Sequence, residues 1–200
     1  ADSDTVLHIE DITGTSGNDS ITGNASSNIL NGADGTDSIN GADGDDIIYG
    51  GNNADNALNS SVYEILDGGA GNDTIWGGAG NDSILGGAGI GNDILYGEAG
   101  RDIIKADSGD DTIDGGADED WAYFNDIVVS GATIVLDSDG NSANGSTGTS
   151  NITGYTTTLV GIEHIKATAL ADIITGDHNA NSILAGGSND TIYSSKGSDY

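Results

Sequence analysis

From Gly68 to Tyr123 the chain reads GGAGNDTIW (68–76), GGAGNDSIL (77–85), GGAGIGNDILY (86–96), GEAGRDIIK (97–105), ADSGDDTID (106–114) and GGADEDWAY (115–123). These are six versions of one nonapeptide: Gly-Gly at the front, Asp at the sixth place and an apolar residue at the eighth. A fixed short period calls for one local structure that repeats and stacks. Run backwards from Gly68, the frame starts units at 59, 50, 41, 32, 23 and 14. Run forwards it meets a two-residue insertion, Ile90-Gly91, so that twelve units span Gly14 to Tyr123.

The sixth places hold Asp19, Asn28, Asp37, Asp46, Asp55, Glu64, Asp73, Asp82, Asp93, Asp102, Asp111 and Asp120. The eighth places hold Ile21, Leu30, Ile39, Ile48, Ala57, Leu66, Ile75, Ile84, Leu95, Ile104, Ile113 and Ala122. Places seven to nine have the outward-inward-outward pattern of a short strand, with place eight inward. The Gly-rich places before them must turn the chain, since glycine tolerates positive φ and close backbone approach. Two turns bring the chain back over itself, which predicts coils of eighteen residues stacked at ~4.8 Å, or about 30 Å for six coils. The expected architecture is an all-β parallel solenoid whose Ile and Leu ladders form a thin core. Such a core is too small to carry the fold alone.

Beyond 123 the pattern changes. Trp121, Tyr123, Phe124, Ile127, Val128, Val129, Ile134, Val135 and Leu136 form the richest aromatic and β-branched cluster, which reads as longer strands. A Gly/Ser/Asn loop (138–154) and a strand-like return (155–165) follow. The nonapeptide resumes at 167, with Asp172, Asn181, Asp190 and Asp199 at place six. This tail repeats the opening, since 162–184 matches 9–30 with one residue added. The expected organisation is an entry strand (1–13), a first stack (14–123), a longer-stranded spacer (124–161) and a second stack (162–200). The chain ends inside a unit, at Tyr200, and reads as a piece of something longer.

Composition narrows the chemistry. Thirty-three acids face four bases for a formal charge of −29, with 34 glycines and no Cys, Met or Pro. Self-repulsion of that size opposes a compact state unless something neutralises it. Nucleic acid is excluded as a partner because no basic patch exists to meet phosphate. No apolar run is long enough to span a bilayer, no signal peptide is visible, and thiolate metal sites are ruled out. Stacked coils set each place-six carboxylate beside the next, an arrangement that a cation between them would relieve. Carboxylates with carbonyls from a glycine turn make an all-oxygen cage. Calcium accepts six to eight oxygens in flexible geometry, magnesium prefers a tight octahedron with water, and zinc or copper would want His or Cys.

GGAGNDTIW and GGAGNDSIL match the GGxGxDxUx pattern, and over 14–123 and 167–200 the chain resembles the hemolysin-type, or RTX, calcium-binding repeat family. The resemblance implies a right-handed parallel β-roll, several bound Ca2+ ions, type I secretion and folding outside the cell or at its surface. It also implies that one loop offers carbonyls at places two and four plus its Asp, and the next loop along the edge carbonyls at places one and three plus its Asp. Carried over, one cage is Gly78, Gly80 and Asp82 with Gly97, Ala99 and Asp102. A second is Glu98, Gly100 and Asp102 with Gly115, Ala117 and Asp120. A third is Gly51, Asn53 and Asp55 with Gly68, Ala70 and Asp73, and a fourth Thr15, Gly17 and Asp19 with Gly32, Asp34 and Asp37. Asp46, Asp93, Asp111, Asp172 and Asp190 complete the expected ligands. Asn28 and Asn181 lose a charge, Glu64 sits in a unit without glycine, and the insertion displaces Asp93; these weaken their cages.

Other features read more plainly. His8, His164 and His178 share no spacing and read as surface residues. Tyr49, Tyr96 and Tyr193 recur at place nine, which favours packing on the sheet face over sugar stacking. Asp137-Ser138-Asp139-Gly140-Asn141 starts like an EF-hand loop, but Ser142 and Gly148 stand where Gly and Glu are required. Acids in every unit mark a structural role, and no nucleophile-base pair is visible, so no enzyme is expected. The function expected is that of a calcium-dependent structural module. An adhesin or surface-layer component, the tail of a secreted protease, lipase or epimerase, and a β-helical polysaccharide enzyme are the alternatives. Partners are calcium ions, further copies of the chain or a cell surface.

Overall fold

The computed structural model describes residues 10–52, 63–88, 90–124, 133–136, 147–152, 155–177, 179–194 and 200. Asn53, Asp55, Ala57, the EF-hand-like start at 137–142, His8, His178 and Asp199 lie outside the described residues. The strands are β1 (Asp11–Thr13), β2 (Ser20–Thr22), β3 (Ile29–Asp34), β4 (Ser38–Asn40), β5 (Ile47–Asn52), β6 (Glu64–Gly69), β7 (Thr74–Ala79), β8 (Asp82–Gly87) and β9 (Ile94–Ala99). They continue as β10 (Ile103–Lys105), β11 (Thr112–Asp114), β12 (Trp121–Tyr123), β13 (Thr133–Val135), β14 (Thr147–Ile152), β15 (Tyr155–Val160), β16 (His164–Lys166), β17 (Ile173–Thr175), β18 (Ser182–Leu184) and β19 (Thr191–Tyr193). No helix occurs among the described residues, so none is long and apolar enough to cross a membrane.

Successive strands alternate between two sheets, and this alternation is the β-roll. One sheet has eleven strands in the order β1-β3-β5-β7-β9-β11-β15-β14-β13-β17-β19. The other has eight, β2-β4-β6-β8-β10-β12-β16-β18. Pairing is parallel apart from the β13-β14 and β14-β15 contacts, where the spacer lays an antiparallel meander into the eleven-stranded sheet. That sheet runs from β1 to β19 with β13, β14 and β15 inside it.

The eighth-place ladder is the core. Ile21, Leu30, Ile39, Ile48, Leu66, Ile75, Ile84, Leu95, Ile104, Ile113 and Ala122 are all at most 7 % exposed. The spacer adds Phe124, Ile134, Leu136, Leu159 and Ile162 to the same core. Burying each Ile or Leu stabilises the roll by roughly 1.5–3 kcal/mol.

The inward face is wider than a three-residue strand. Six of the strands run on into the glycines, and in β6 the burial alternates through Glu64, Leu66 and Gly68. Places six, eight and one therefore share the inner side at the strand period of two.

The coil length is not uniform, which corrects the expected constant eighteen. Place six meets place six after 18 residues from Asp93 to Asp111 and from Asp102 to Asp120. The interval is 20 where Ile90-Gly91 is inserted, from Asp73 to Asp93 and from Asp82 to Asp102. From Asp46 to Asp73 it is 27. That is one nine-residue unit more than the expected coil, and β4 pairs directly with β6 and β5 with β7. At place eight Leu66 sits between Ile39 and Ile84, where it removes a large apolar surface from water.

Candidate metal centre

Two hydrogen-bond ladders run along each corner of the roll. At place six, the backbone N–H of one residue donates to the side chain one coil on. The Asp82 N–H donates to Asp102 Oδ1 at 2.8 Å, and the Asp102 N–H to Asp120 Oδ1 at 2.8 Å. On the opposite corner Asp46 donates to Asp73, Asp73 to Asp93 and Asp93 to Asp111 at 2.7, 2.9 and 3.0 Å. At place five the direction reverses. The Asn72 N–H donates back to Asp45, Asn92 to Asn72 and Asp110 to Asn92.

The first ladder uses only one oxygen of each carboxylate. The Oδ2 atoms of Asp37, Asp46, Asp73, Asp93, Asp102, Asp111 and Asp120 are buried and accept no hydrogen bond. Those of Asp37, Asp46, Asp73, Asp93, Asp102 and Asp120 point into the hollow left by the first-place glycine of the same loop, whereas the loop of Asp111 has Ala106 at that place. A Cβ on Gly32 would collide with Asp37 Oδ2 and the Gly50 carbonyl, and one on Gly41 with Asp46 Oδ2 and the Gly68 carbonyl. Glycine is required there because acceptor oxygens from two adjacent coils converge on that space. An ionised carboxylate buried without a partner costs several kcal/mol, more than one buried Ile returns. The donor set is all oxygen, which fits a hard cation such as calcium.

The electrostatics say the same. Burial pushes Asp102 up to about 8, helped by the Asp82 charge. Burial likewise raises Asp120 to about 8, with Asp102 and Glu163 adding repulsion. Burial lifts Asp73 to about 7 and Asp46 and Asp111 to about 6, and raises Asp37 and Asp93. Without a neutralising ion the corners resist ionisation.

The expected residues fall into three groups. Loops 77–82, 97–102 and 115–120 do stack: the Gly80 N–H donates to the Ala99 carbonyl at 2.8 Å and the Gly100 N–H to the Ala117 carbonyl at 3.3 Å. The Ala99, Ala117 and Glu98 carbonyls each already accept a backbone N–H, leaving one lone pair each. Of the third expected cage, Asn53 and Asp55 lie outside the described residues. Gly51 is paired with Ala33 and Gly78, Ala70 bonds Ala42 and Gly44, and Asp46 stands beside Asp73.

The third group closes itself. Loop 14–19 abuts 32–37, with the Asp19 N–H donating to Asp37 Oδ1, but Asp19 Oδ2 accepts the Thr15 N–H at 2.6 Å and the Thr15 hydroxyl at 3.0 Å. The Thr15 hydroxyl in turn accepts the Gly17 N–H. Asp172 is bound the same way by Thr168 N–H and hydroxyl, and its own N–H donates to Asp190. Asn28 and Asn181 accept the N–H groups of Asn24 and Asp177. In these four loops a polar residue at place two satisfies place six with protein hydrogen bonds. Asp34 is exposed on the rim.

Two acids escaped the sequence reading. Glu163 takes the rung after Asp120, its Oε2 accepting the Asp120 N–H at 2.9 Å, and burial raises it to about 7. Running the frame back one unit from 167 puts Glu163 at place six, a signal hidden by the spacer. Asp107 stands at place two, where the repeat has glycine, and its carboxylate lies with those of Asp93 and Asp111.

The RTX calcium-binding nonapeptide repeat (4 copies) matches residues 8–39, 23–57, 64–90, 88–122 and 166–200. No curated protein matches the chain.

Proposed function

The chain belongs to the RTX calcium-binding nonapeptide repeat family, and on that premise we propose that it is a calcium-triggered structural module whose middle coils fold by closing on the ion. The buried, hydrogen-bond-free Oδ2 atoms of Asp37, Asp46, Asp73, Asp93, Asp102, Asp111 and Asp120 carry this reading. Together with the first-place carbonyls that face them, they are the groups that would hold calcium; the ion would neutralise adjacent buried carboxylates. The self-closed loops around Asp19, Asn28, Asp172 and Asn181 are scaffold instead, at either end of the stack.

Protein groups divide the remaining work. Place-six N–H groups fix one oxygen of each carboxylate, a place-one glycine leaves room for the other in every loop but that of Asp111, where Ala106 stands, and the eighth-place ladder excludes water behind them. Since these corners do not exist in the unfolded chain, binding free energy is folding free energy. Extracellular sites of this ligand type have Kd of about 10⁻⁴–10⁻³ M, which suits a module that is unfolded inside a cell and folds after secretion. The role is structural rather than catalytic, because the acids recur coil after coil and each is built into the ladder.

Circular dichroism during a calcium titration tests the proposal. Starting in chelator, β signal should appear cooperatively as calcium approaches the millimolar range. A full β spectrum in chelator at neutral pH, unmoved by calcium, would overturn it.

A further inference from the structure

The corner at the Ile90-Gly91 insertion differs from the others. The inserted pair is held against the next coil: Ile90 bridges Ser108, and the Gly91 N–H donates to the Ser108 carbonyl at 3.1 Å. Gly109 sits so close to Gly91 that a Cβ on it would strike the Gly91 carbonyl. Beside this contact one carboxylate oxygen each from Asp93, Asp107 and Asp111 lies within 4.8 Å of the others. Asp93 and Asp111 are 1 % and 2 % exposed, and their Oδ2 atoms are buried without a hydrogen-bond partner, as is Asp107 Oδ1.

Elsewhere place two supplies no such carboxylate. Ala33, Ala42, Gly69, Gly78 and Gly116 have none, Glu98 faces solvent, and Asp177 is bonded by Asn179 and Asn181.

We propose that Asp93, Asp107 and Asp111 form a three-carboxylate calcium site that fills before the other corners of the roll. This rests on the calcium-dependent folding proposed above and deepens it. Affinity of oxygen cages follows the number of charged ligands, and one extra carboxylate in a buried corner raises it steeply. The insertion, which on the repeat pattern alone weakens a cage, here accompanies the strongest one. The roll therefore has a seed, from which folding spreads to both neighbours.

Calorimetric calcium titration of the full chain tests this in the wild type, Asp107→Asn and the exposed control Glu10→Gln at the far end of the stack. The wild type and E10Q should each show one ion bound at least tenfold more tightly than the rest. D107N should lose that early phase, keep the later ones and reach the wild-type circular dichroism at saturating calcium. An early phase that survives in D107N, or a single affinity class in the wild type, overturns the seed while leaving calcium-dependent folding intact. Absence of any calcium binding overturns both. Should D107N fail to fold, substoichiometric gadolinium added to calcium-saturated wild type decides. Its NMR line broadening should centre on 93, 107 and 111, and broadening centred on another corner overturns the proposal.

Discussion

Asp102 shows the conflict that governs each residue of the inner corner. One of its oxygens completes a backbone ladder at 2.8 Å, while the other is buried with nothing to accept. Asp102→Asn separates the two roles, since an amide oxygen can still accept the ladder N–H, just as the place-six amides of Asn28 and Asn181 accept backbone N–H groups from within their own loops. We expect opposite effects in the two states. With calcium present, the titration midpoint should rise several-fold. In chelator the variant should retain more β signal than wild type, because a buried charge has gone. A backbone test is independent of the ion. Ala42 has φ of 81°, a left-handed conformation that costs a non-glycine residue about 1–2 kcal/mol. Part of that returns as unfolded-chain entropy, so Ala42→Gly should stabilise the calcium-loaded roll by about 0.5–1 kcal/mol, read as a higher Tm. Place eight was legible from the sequence because one apolar side chain per nine residues has a single inward solution. The inward turn of place six was not, since an acid by itself reads as solvent-facing. Nor was the purpose of the Asn in Gly-Asn-Asp, which only the reversed place-five ladder explains.

At the scale of the strand, outward place nine builds its own stack. Tyr49, Trp76 and Tyr96 lie ring on ring, with centroids 4.9 and 5.5 Å apart and planes within 14° and 16°. The spacing is that of parallel strands, so β5, β7 and β9 set it. Both faces of Trp76 are covered by its neighbours, leaving only ring edges outward, which is unsuitable for stacking a sugar. Each such pair contributes about 0.5–1.5 kcal/mol beyond its burial. Trp76→Ala should therefore lower Tm in calcium and abolish the near-ultraviolet signal of the coupled rings, with ion stoichiometry unchanged. The period of the repeat revealed which residues form strands, but not that the step from Asp46 to Asp73 would take 27 residues, since Leu66 fits the nine-residue frame at place eight no better than its eighth-place neighbours in the sequence do. The antiparallel course of β13, β14 and β15 was equally hidden, because alternation says where strands lie and not in which direction they pair.

For the whole molecule, a net charge of −29 and a row of buried acids tie folding to pH. Asp102 and Asp120 rise from an unfolded value near 3.8 to about 8. A raised carboxylate binds its proton more tightly in the folded state, so its contribution is full below the unfolded value and is lost as pH climbs through the folded one. In chelator, acidification from pH 8 to pH 4 should therefore increase β structure, measured by circular dichroism. In calcium the dependence inverts: ligands must be deprotonated, so the calcium midpoint should fall as pH rises over the same window. Protons and calcium compete for the same oxygens. A chain whose ion-free β signal weakened on acidification would contradict this burial pattern.

The meander of the spacer has a geometric result. Between the coil of β15 and β16 and the coil of β17 and β18, one wall of the roll carries two additional strands while the other steps directly from β16 to β18. Two strands add about 10 Å to that wall alone, since neighbours are spaced ~4.8 Å apart. A tube lengthened along only one side becomes a wedge, and its axis turns away from the longer wall. The two arms thus meet at an elbow, convex on the eleven-stranded side, and small-angle scattering of the calcium-loaded protein should show a bent rod rather than a straight one.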